Sequence, residues 1–196
     1  MLTSQKITSV DQALFSRLDS LYAAAFPWHE QREPRAKRAA MADGHYALEA
    51  WFDGEQFVGL SGCWVFDGYL YVEHLAVDGA LRSQGYGKRL LAQILSREPV
   101  TVLEIDPLTT GIARRRLRFY ESMGFVANPW PHVHPAYHAQ TAGHALIVLS
   151  YPTALDAQAY RRFNDDLCGT VMRGAAAVYC GGRACRMRCA CAAVSG

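Results

Sequence analysis

A short basic segment, RSQGYGK at residues 82–88, carries residue types that can bind an anion. An apolar alternating run precedes it and an amphipathic pattern follows it, so we expect the segment to open a helix. The start of a helix presents free backbone N–H groups and positive dipole charge. Gly85 and Gly87 would allow close approach to the backbone, and Arg82 and Lys88 add positive charge. These features predict a diphosphate cradle, although a plain strand-to-helix turn often contains glycine too.

Two other phosphate-binding patterns can be tested against the same segment. A dinucleotide fingerprint that begins at Gly85 needs a third glycine where Leu90 stands. A P-loop needs glycine in place of Arg82 and Ser or Thr in place of Arg89. The sequence therefore supports neither a Rossmann enzyme nor a nucleotide hydrolase.

The elements around this segment predict an α+β fold. Two Asp-Gly turns, Asp53-Gly54 and Asp67-Gly68, separate runs rich in aromatic and β-branched residues, which is typical of β-hairpins. Periodicity predicts strands near 45–52, 56–66, 69–77, 100–105 and 144–151, and helices near 11–25, after Pro34, and over 85–97, 111–123 and 153–167 with Thr153 as N-cap. This order favours one mixed, mostly antiparallel sheet with helices on both faces.

Composition limits the functional class. The chain has 196 residues and a formal net charge of +2, too small by itself to argue for nucleic acid. Neither a signal peptide nor an apolar run long enough to span a bilayer is evident, so we expect a soluble cytoplasmic protein without a membrane partner. Five of the six cysteines crowd the last thirty residues, which is no disulfide framework. We expect one domain over 1–152, a C-terminal helix over 153–172 packed on or extending from it, and a disordered tail over 173–196.

The stretch LAVDGALRSQGYGKRLL, residues 75–91, resembles the acetyl-CoA signature of the GNAT (Gcn5-related) N-acetyltransferase superfamily, Q/R-x-x-G-x-G/A. Downstream, FYESMGF at 119–125 is similar to the second signature of that family, with one strand between the two. The element order matches from about residue 10 to about 150. One departure is Ala113, because many members carry Asn seven residues before the signature tyrosine.

The resemblance implies that two splayed central strands form an acetyl-CoA cleft. Backbone groups of the strand before the loop, freed by a β-bulge near 75–77, would bind the pantetheine arm. The co-substrate contacts implied in this way are Leu75, Ala76, Val77, Arg82, Ser83, Gln84, Gly85, Tyr86, Gly87 and Lys88. No metal is expected, although the histidine-rich segment 131–144 also allows a metal-binding interpretation.

The activity implied is direct acetyl transfer from acetyl-CoA to a primary amine of a small molecule or peptide. Tyr120 matches the tyrosine that protonates the departing thiolate; otherwise it is a core residue. Glu73, among apolar neighbours, is a candidate base or ammonium ligand, and a structural pair with an arginine is the alternative. Glu104 is a second candidate base. Strand alternation puts His74 on the face opposite Glu73, which favours a structural role.

Substrate recognition is expected from segments outside the two signatures. The residues predicted to bind the acceptor are Phe26, Trp28, Glu30 and Tyr137. A non-catalytic acyl-CoA sensor is the alternative function. Nucleic acid is not expected as a partner, and the chain is expected to be a monomer or homodimer.

Overall fold

The computed structural model describes residues 1–173. Its strands are β1 (Thr3–Ile7), β2 (Tyr46–Asp53), β3 (Gln56–Phe66), β4 (Tyr69–Val77), β5 (Thr101–Ile105), β6 (Val126–Ala127), β7 (Val133–His134), β8 (His144–Ala145) and β9 (Ile147–Tyr151). Seven of them form one sheet in the order β1-β2-β3-β4-β5-β9-β6, and β7 pairs with β8 in a separate ribbon. All neighbours in the large sheet are antiparallel except β4 and β5.

Helices cover both faces of the sheet. They are α1 (Ala13–Ala25), α2 (Pro34–Ala42), α3 (Tyr86–Leu95), α4 (Gly111–Glu121) and α5 (Ala157–Asp166), the last followed by a π-helical turn, Leu167–Val171. One core cluster joins α1, α2 and α5 to the sheet around Tyr22, Tyr71 and Phe163. The second joins α3 and the segment after α4 to the other face around Leu91 and Phe125. The predicted α+β architecture is therefore confirmed.

Several elements differ from the sequence prediction, among them the short strands β6 and β7, which periodicity did not indicate. Strand β1, which adds an edge to the sheet, has exposed side chains except at Ile7, so no apolar alternation marked it. The predicted strand over 144–151 breaks between β8 and β9. The last helix is capped by Asp156 rather than Thr153, because the Asp156 carboxylate accepts from the amides of Gln158 and Ala159.

The two central strands separate partway along their length. β4 and β5 run parallel and pair only from Leu70–Thr101 to Val72–Leu103. Beyond Val72, no strand in the described part of the chain pairs with this edge of β4. The remaining residues of β4 and the end of β5 therefore form the two sides of a cleft at their carboxyl ends, as the predicted splay requires.

A β-bulge lies at Glu73, not near residues 75–77 as the resemblance implied. Gly62 pairs with His74 while Cys63 pairs with Val72, so Glu73 is the extra residue on β4. The insertion breaks the two-residue alternation of side chains. His74 consequently lies on the same face as Glu73, where its ring contacts Tyr22 and Phe26 with centroids 4.8 and 4.7 Å away. The prediction that these two side chains point to opposite faces is wrong.

The C-terminal helix shares the core of the rest of the fold. Phe163, Leu167 and Val171 belong to the same buried cluster as Tyr22 and Tyr71. The tail predicted to be disordered lies, apart from its first residue, outside the described residues. Within residues 1–173, none of the helices is both long and apolar enough to cross a membrane.

The close approach of β3 to β4 at Gly59 can be tested by measuring protein stability. A Cβ added at Gly59 would lie 2.2 Å from the carbonyl oxygen of Ala76, a backbone atom that cannot move without shifting β4. Gly59→Ala should lower the free energy of unfolding by about 1–3 kcal/mol in urea denaturation. Gly44→Ala is the matched control, since nothing lies within 4 Å of a Cβ there. Equal stability of the two variants would contradict the close approach.

Candidate active site

A cavity of about 580 Å³ fills the cleft between β4 and β5. Its walls come from the end of α1, both splayed strands, α4 and the β7–β8 ribbon. The predicted site residues that line it are Phe26, Glu30, Glu73, Leu75, Ala76, Val77, Arg82, Glu104, Tyr120 and Tyr137. Trp28 does not line it; its side chain is largely exposed and stacks on His138 with centroids 3.9 Å apart.

The predicted cradle has its backbone amides free. No hydrogen bond within residues 1–173 is donated by the amides of Ser83 to Lys88. Gly85 has φ +82° and Ser83 has φ +65°, and this left-handed backbone forms the turn that opens α3. Arg82 reaches the cavity wall. The loop can therefore present a row of donors and a cation to an anionic group beside the cleft.

Side chains of the cradle and of the adjoining turn of α3 hydrogen bond to neighbouring protein groups. Tyr86 donates from its hydroxyl to Asp53, and Arg89 binds the same carboxylate through two nitrogens at 2.8 and 3.1 Å. The Gln84 amide nitrogen donates to the Ala80 carbonyl. A Cβ at Gly87 would make an ordinary van der Waals contact with Phe119 at 3.5 Å, so internal packing does not require glycine there. At Gly85 the positive φ is what requires glycine.

Tyr120 lies in the last turn of α4, where its ring contacts Phe119 and Phe125 and lines the cavity. No hydrogen bond to its hydroxyl occurs within residues 1–173. Burial raises the pKa of Tyr120, with Arg116 opposing the change. The phenol therefore keeps its proton at neutral pH and can donate it.

Glu73 is fully paired. Its Oε1 contacts Arg32 Nη2 at 2.8 Å and accepts from the Tyr137 hydroxyl at 2.8 Å, while Oε2 accepts from Trp64 Nε1 at 2.8 Å. Burial alone would raise the pKa of this carboxyl, but Arg32 and the donated hydrogen bonds outweigh burial and lower the pKa to about 2. Such a carboxylate is a weak base. The arrangement is the arginine pair that the sequence left open.

Arg32 connects this pair to the π-helical turn that follows α5. Its Nη2 donates to the Val171 carbonyl at 2.8 Å, and its guanidinium lies over the Trp64 ring at 5.4 Å. Its backbone amide donates to the Tyr22 hydroxyl. Sequence analysis did not single out Arg32 as a partner of Glu73, because the two residues meet only through tertiary packing.

Glu104, at the end of β5, lies at the opposite wall. Its Oε2 accepts from the Tyr71 hydroxyl at 2.6 Å, and its Oε1 hydrogen bonds with His132 Nε2. Burial would raise the pKa of Glu104, but His134, His132 and Tyr71 together lower it. Glu104 is therefore a carboxylate in a cluster of donors, and it faces the cavity.

The β7–β8 ribbon carries two histidines that the signatures did not indicate. His134 and His144 pair across the ribbon and both line the cavity. His134 stacks on Tyr137 with ring centroids 4.9 Å apart. The signal in the sequence was the His-x-His spacing at 132–134. Residues 1–173 contain no cluster of three or more His, Cys, Asp or Glu arranged to hold a metal.

Glu30 lies in a short 3₁₀ turn, Trp28–Glu30, at the mouth of the cavity. Its backbone carbonyl accepts from His74 Nε2 at 3.0 Å, which fixes the turn against β4. Burial raises the pKa of its carboxyl, and the nearby negative charge of Asp106 adds to that effect. A cation placed beside Glu30 would relieve this cost.

Comparisons with known proteins agree with this geometry. The sequence pattern of the acetyltransferase (GNAT) domain matches residues 43–127, from the start of the β-meander to β6. A curated Bacillus subtilis relative, "Putative acetyltransferase YjbC", is 32% identical over 62 residues, which span 31% of this chain and 32% of that one. The match thus covers about a third of the length of the relative.

Solved structures resemble the chain over a greater length. A putative GNAT acetyltransferase from Bacteroides thetaiotaomicron superimposes with a TM-score of 0.80 at 29% identity, covering 86% of this chain and 97% of that one. Naa50 from Arabidopsis thaliana, solved with the bisubstrate analogue CoA-Ac-MVNAL, gives a TM-score of 0.53 at 18% identity, covering 76% and 97%. The domain match over residues 43–127, the fold shared with the Bacteroides protein and the cleft between β4 and β5 all support assigning the chain to the GNAT acetyltransferase superfamily.

Proposed function

We propose that this protein is an acetyl-CoA-dependent N-acetyltransferase that moves the acetyl group directly to a primary amine of a small molecule or peptide. The observation that carries the proposal is the row of unbonded amides from Ser83 to Lys88 beside the 580 Å³ cleft. Support also comes from the Arabidopsis structure, whose bound analogue joins CoA to a peptide.

The cradle would bind the diphosphate of the co-substrate. Free amides and the start of α3 are donors for anionic oxygens, and Arg82 adds a cation at the cavity wall. The edge of β4 at Leu75 to Val77 would offer backbone groups to the pantetheine arm, because no strand of residues 1–173 pairs with it there. Acetyl-CoA supplies the activated thioester, and the chain supplies position and proton transfer.

Tyr120 would act as the acid. Its phenol is protonated and reaches the cavity, so it can give its proton to the thiolate that leaves when the acetyl group is transferred. Phe26, Glu30 and Tyr137 would border the acceptor amine, with the Glu30 carboxylate attracting its positive charge. Trp28 would contribute indirectly, by fixing the ring of His138 through stacking.

We assign Glu73 a positioning role instead of the role of base. Its carboxylate holds the acceptor-side residue Tyr137 and the guanidinium of Arg32, and its pKa of about 2 leaves it little affinity for the proton of an amine. Glu104 remains available to attract the ammonium, because it faces the cavity as a carboxylate.

The proposed function is tested by thiol release from acetyl-CoA with four amines: cadaverine, tyramine, kanamycin and a hexapeptide with a free N-terminus. Acetylated product from at least one amine, confirmed by mass spectrometry, would support the enzyme. Calorimetric binding of acetyl-CoA with no product from any amine would favour the sensor instead.

Tyr120→Phe should reduce kcat about 100-fold or more, because the phenylalanine ring has no proton to give to the thiolate. The Kd for acetyl-CoA should change by less than about threefold, since the ring itself is retained. Steady-state rates and calorimetry measure the two quantities. Tyr151→Phe, outside the cavity lining, is the matched control. Unchanged turnover in Tyr120→Phe would remove Tyr120 from the chemistry.

Gly85→Ala should weaken acetyl-CoA binding about fivefold, the equivalent of about 1 kcal/mol, because alanine disfavours the φ of +82° and moves the amides. Isothermal titration of the folded variant measures the Kd. Gly79→Ala, in the preceding turn and with open space around a Cβ, is the control. Equal affinity in both variants would argue against the cradle.

Glu73→Gln should lower the free energy of unfolding by about 3–5 kcal/mol at pH 7, because it leaves the buried Arg32 without a counter-ion. The lowered pKa also fixes the sign of the pH dependence. In the wild type this stabilisation is complete above the unfolded-state pKa of about 4.5 and is lost as the pH falls toward 2. Urea titrations between pH 7 and 3 should therefore show the two proteins converging in stability. A constant difference over that range would contradict the ion-pair assignment.

A further inference from the structure

One ring nitrogen of His134, on the acceptor side of the cavity, has no hydrogen-bond partner within residues 1–173. Its Nδ1 lies 2.6 Å from the Pro135 carbonyl oxygen, which can only accept, so Nδ1 carries the proton. In the neutral ring the lone pair is then on Nε2. That atom is buried and has no hydrogen-bond partner within residues 1–173. A buried polar atom without a partner is costly unless something else binds it.

A carboxylate oxygen lies close to His134 Nε2. Glu104 Oε2 is 3.9 Å away, too far for a direct hydrogen bond. Two acceptors that each lie about 2.8 Å from one tetrahedral nitrogen are separated by about 4–4.5 Å. One ammonium group can therefore donate to both His134 and Glu104 with little adjustment of either side chain.

We propose that the acceptor amine binds between Glu104 and His134, and that His134 Nε2 takes its proton. This inference rests on the proposed function and makes His134 the base of that reaction. Glu104 attracts the ammonium and then stabilises the imidazolium that forms 3.9 Å away. The bond to Pro135 holds the ring in the tautomer that can accept.

The proton balance of the reaction follows. The ammonium loses one proton to Nε2, and the neutral nitrogen attacks the thioester carbonyl, so that a C–N bond forms and the C–S bond breaks. The departing thiolate takes up the proton of the Tyr120 hydroxyl. The nitrogen loses its second proton as the amide forms, and that proton restores the Tyr120 phenol. His134 returns its proton to solvent. The net products are an acetylated amine, free CoA thiol and one proton.

Several titratable groups face His134 from the elements around it. Glu104 on β5 has Oε2 3.9 Å from Nε2, and Glu30 in the 3₁₀ turn, Asp106 after β5 and Arg116 on α4 line the same cavity. Tyr137 stacks on the ring, and His144 lies 5.7 Å away across the ribbon. Burial and the neighbouring His134 lower the pKa of His144, so it adds no charge at neutral pH.

The test compares His134→Gln with the wild type, using the panel amine that gives the highest kcat/KM. At pH 7 the variant should lose about 100-fold or more in kcat, because glutamine cannot take a proton. The deficit should shrink as the pH rises toward 9.5, where a primary amine of pKa about 10 loses its proton to water unaided. His45→Gln, at an exposed histidine that contacts Asp43, should match the wild type at every pH.

A measurement without turnover keeps the two proposals separate. Propylammonium should perturb the Nε2 resonance of His134 in a ¹⁵N-imidazole NMR titration of the wild type, and the perturbation should be absent in Glu104→Gln. If no amine is acetylated but this perturbation is seen, the proposed function fails and the amine site stands. The inference about His134 is overturned by a rate deficit that stays constant with pH, by wild-type kcat in His134→Gln, or by an unperturbed resonance.

Discussion

The buried ion pair between Glu73 and Arg32 is the contact on which the active-site geometry depends. It joins four separate parts of the chain: Trp64 on β3, the bulge on β4, the segment after α1, and Tyr137 near the ribbon. Removing two charges from water is expensive, and the cost is offset only when the other donors and acceptors are also satisfied. Here three donors reach one carboxylate. The acceptor side of the cleft is therefore positioned by charge as much as by apolar packing.

The bulge explains how the pair and the cleft coexist. An extra residue bends β4 and changes which side chains face α1, so both Glu73 and His74 turn toward that helix. One residue earlier, at Val72, β4 loses its pairing with β5. The same short segment thus places a buried carboxylate and opens an unpaired backbone edge. The bulge and the end of the β4–β5 pairing thus lie at adjacent residues of one strand.

Local signals in the sequence were enough for much of the fold. Asp-Gly turns defined the β-meander, where Gly54 and Gly68 have positive φ, and the glycine of the cradle marked the start of α3. The side-chain face of His74 was predicted wrongly, because a rule of strict alternation assumes that no residue is inserted. The partner of Glu73 and the proximity of His134 to Glu104 depend on residues far apart in the chain. One sequence contains no local signal for such contacts, so they became visible only in the packed structure.

The bond from Arg32 to the Val171 carbonyl has a practical meaning for anyone who shortens or fuses this protein. A boundary drawn at residue 152, where the similarity to the signatures ends, would remove Phe163 and Leu167 from the core and strip one acceptor from the guanidinium. Among the described residues, the buried core thus extends through Met172. A tag or fusion partner joined after Met172 would leave the hydrogen bond from Arg32 to the Val171 carbonyl intact.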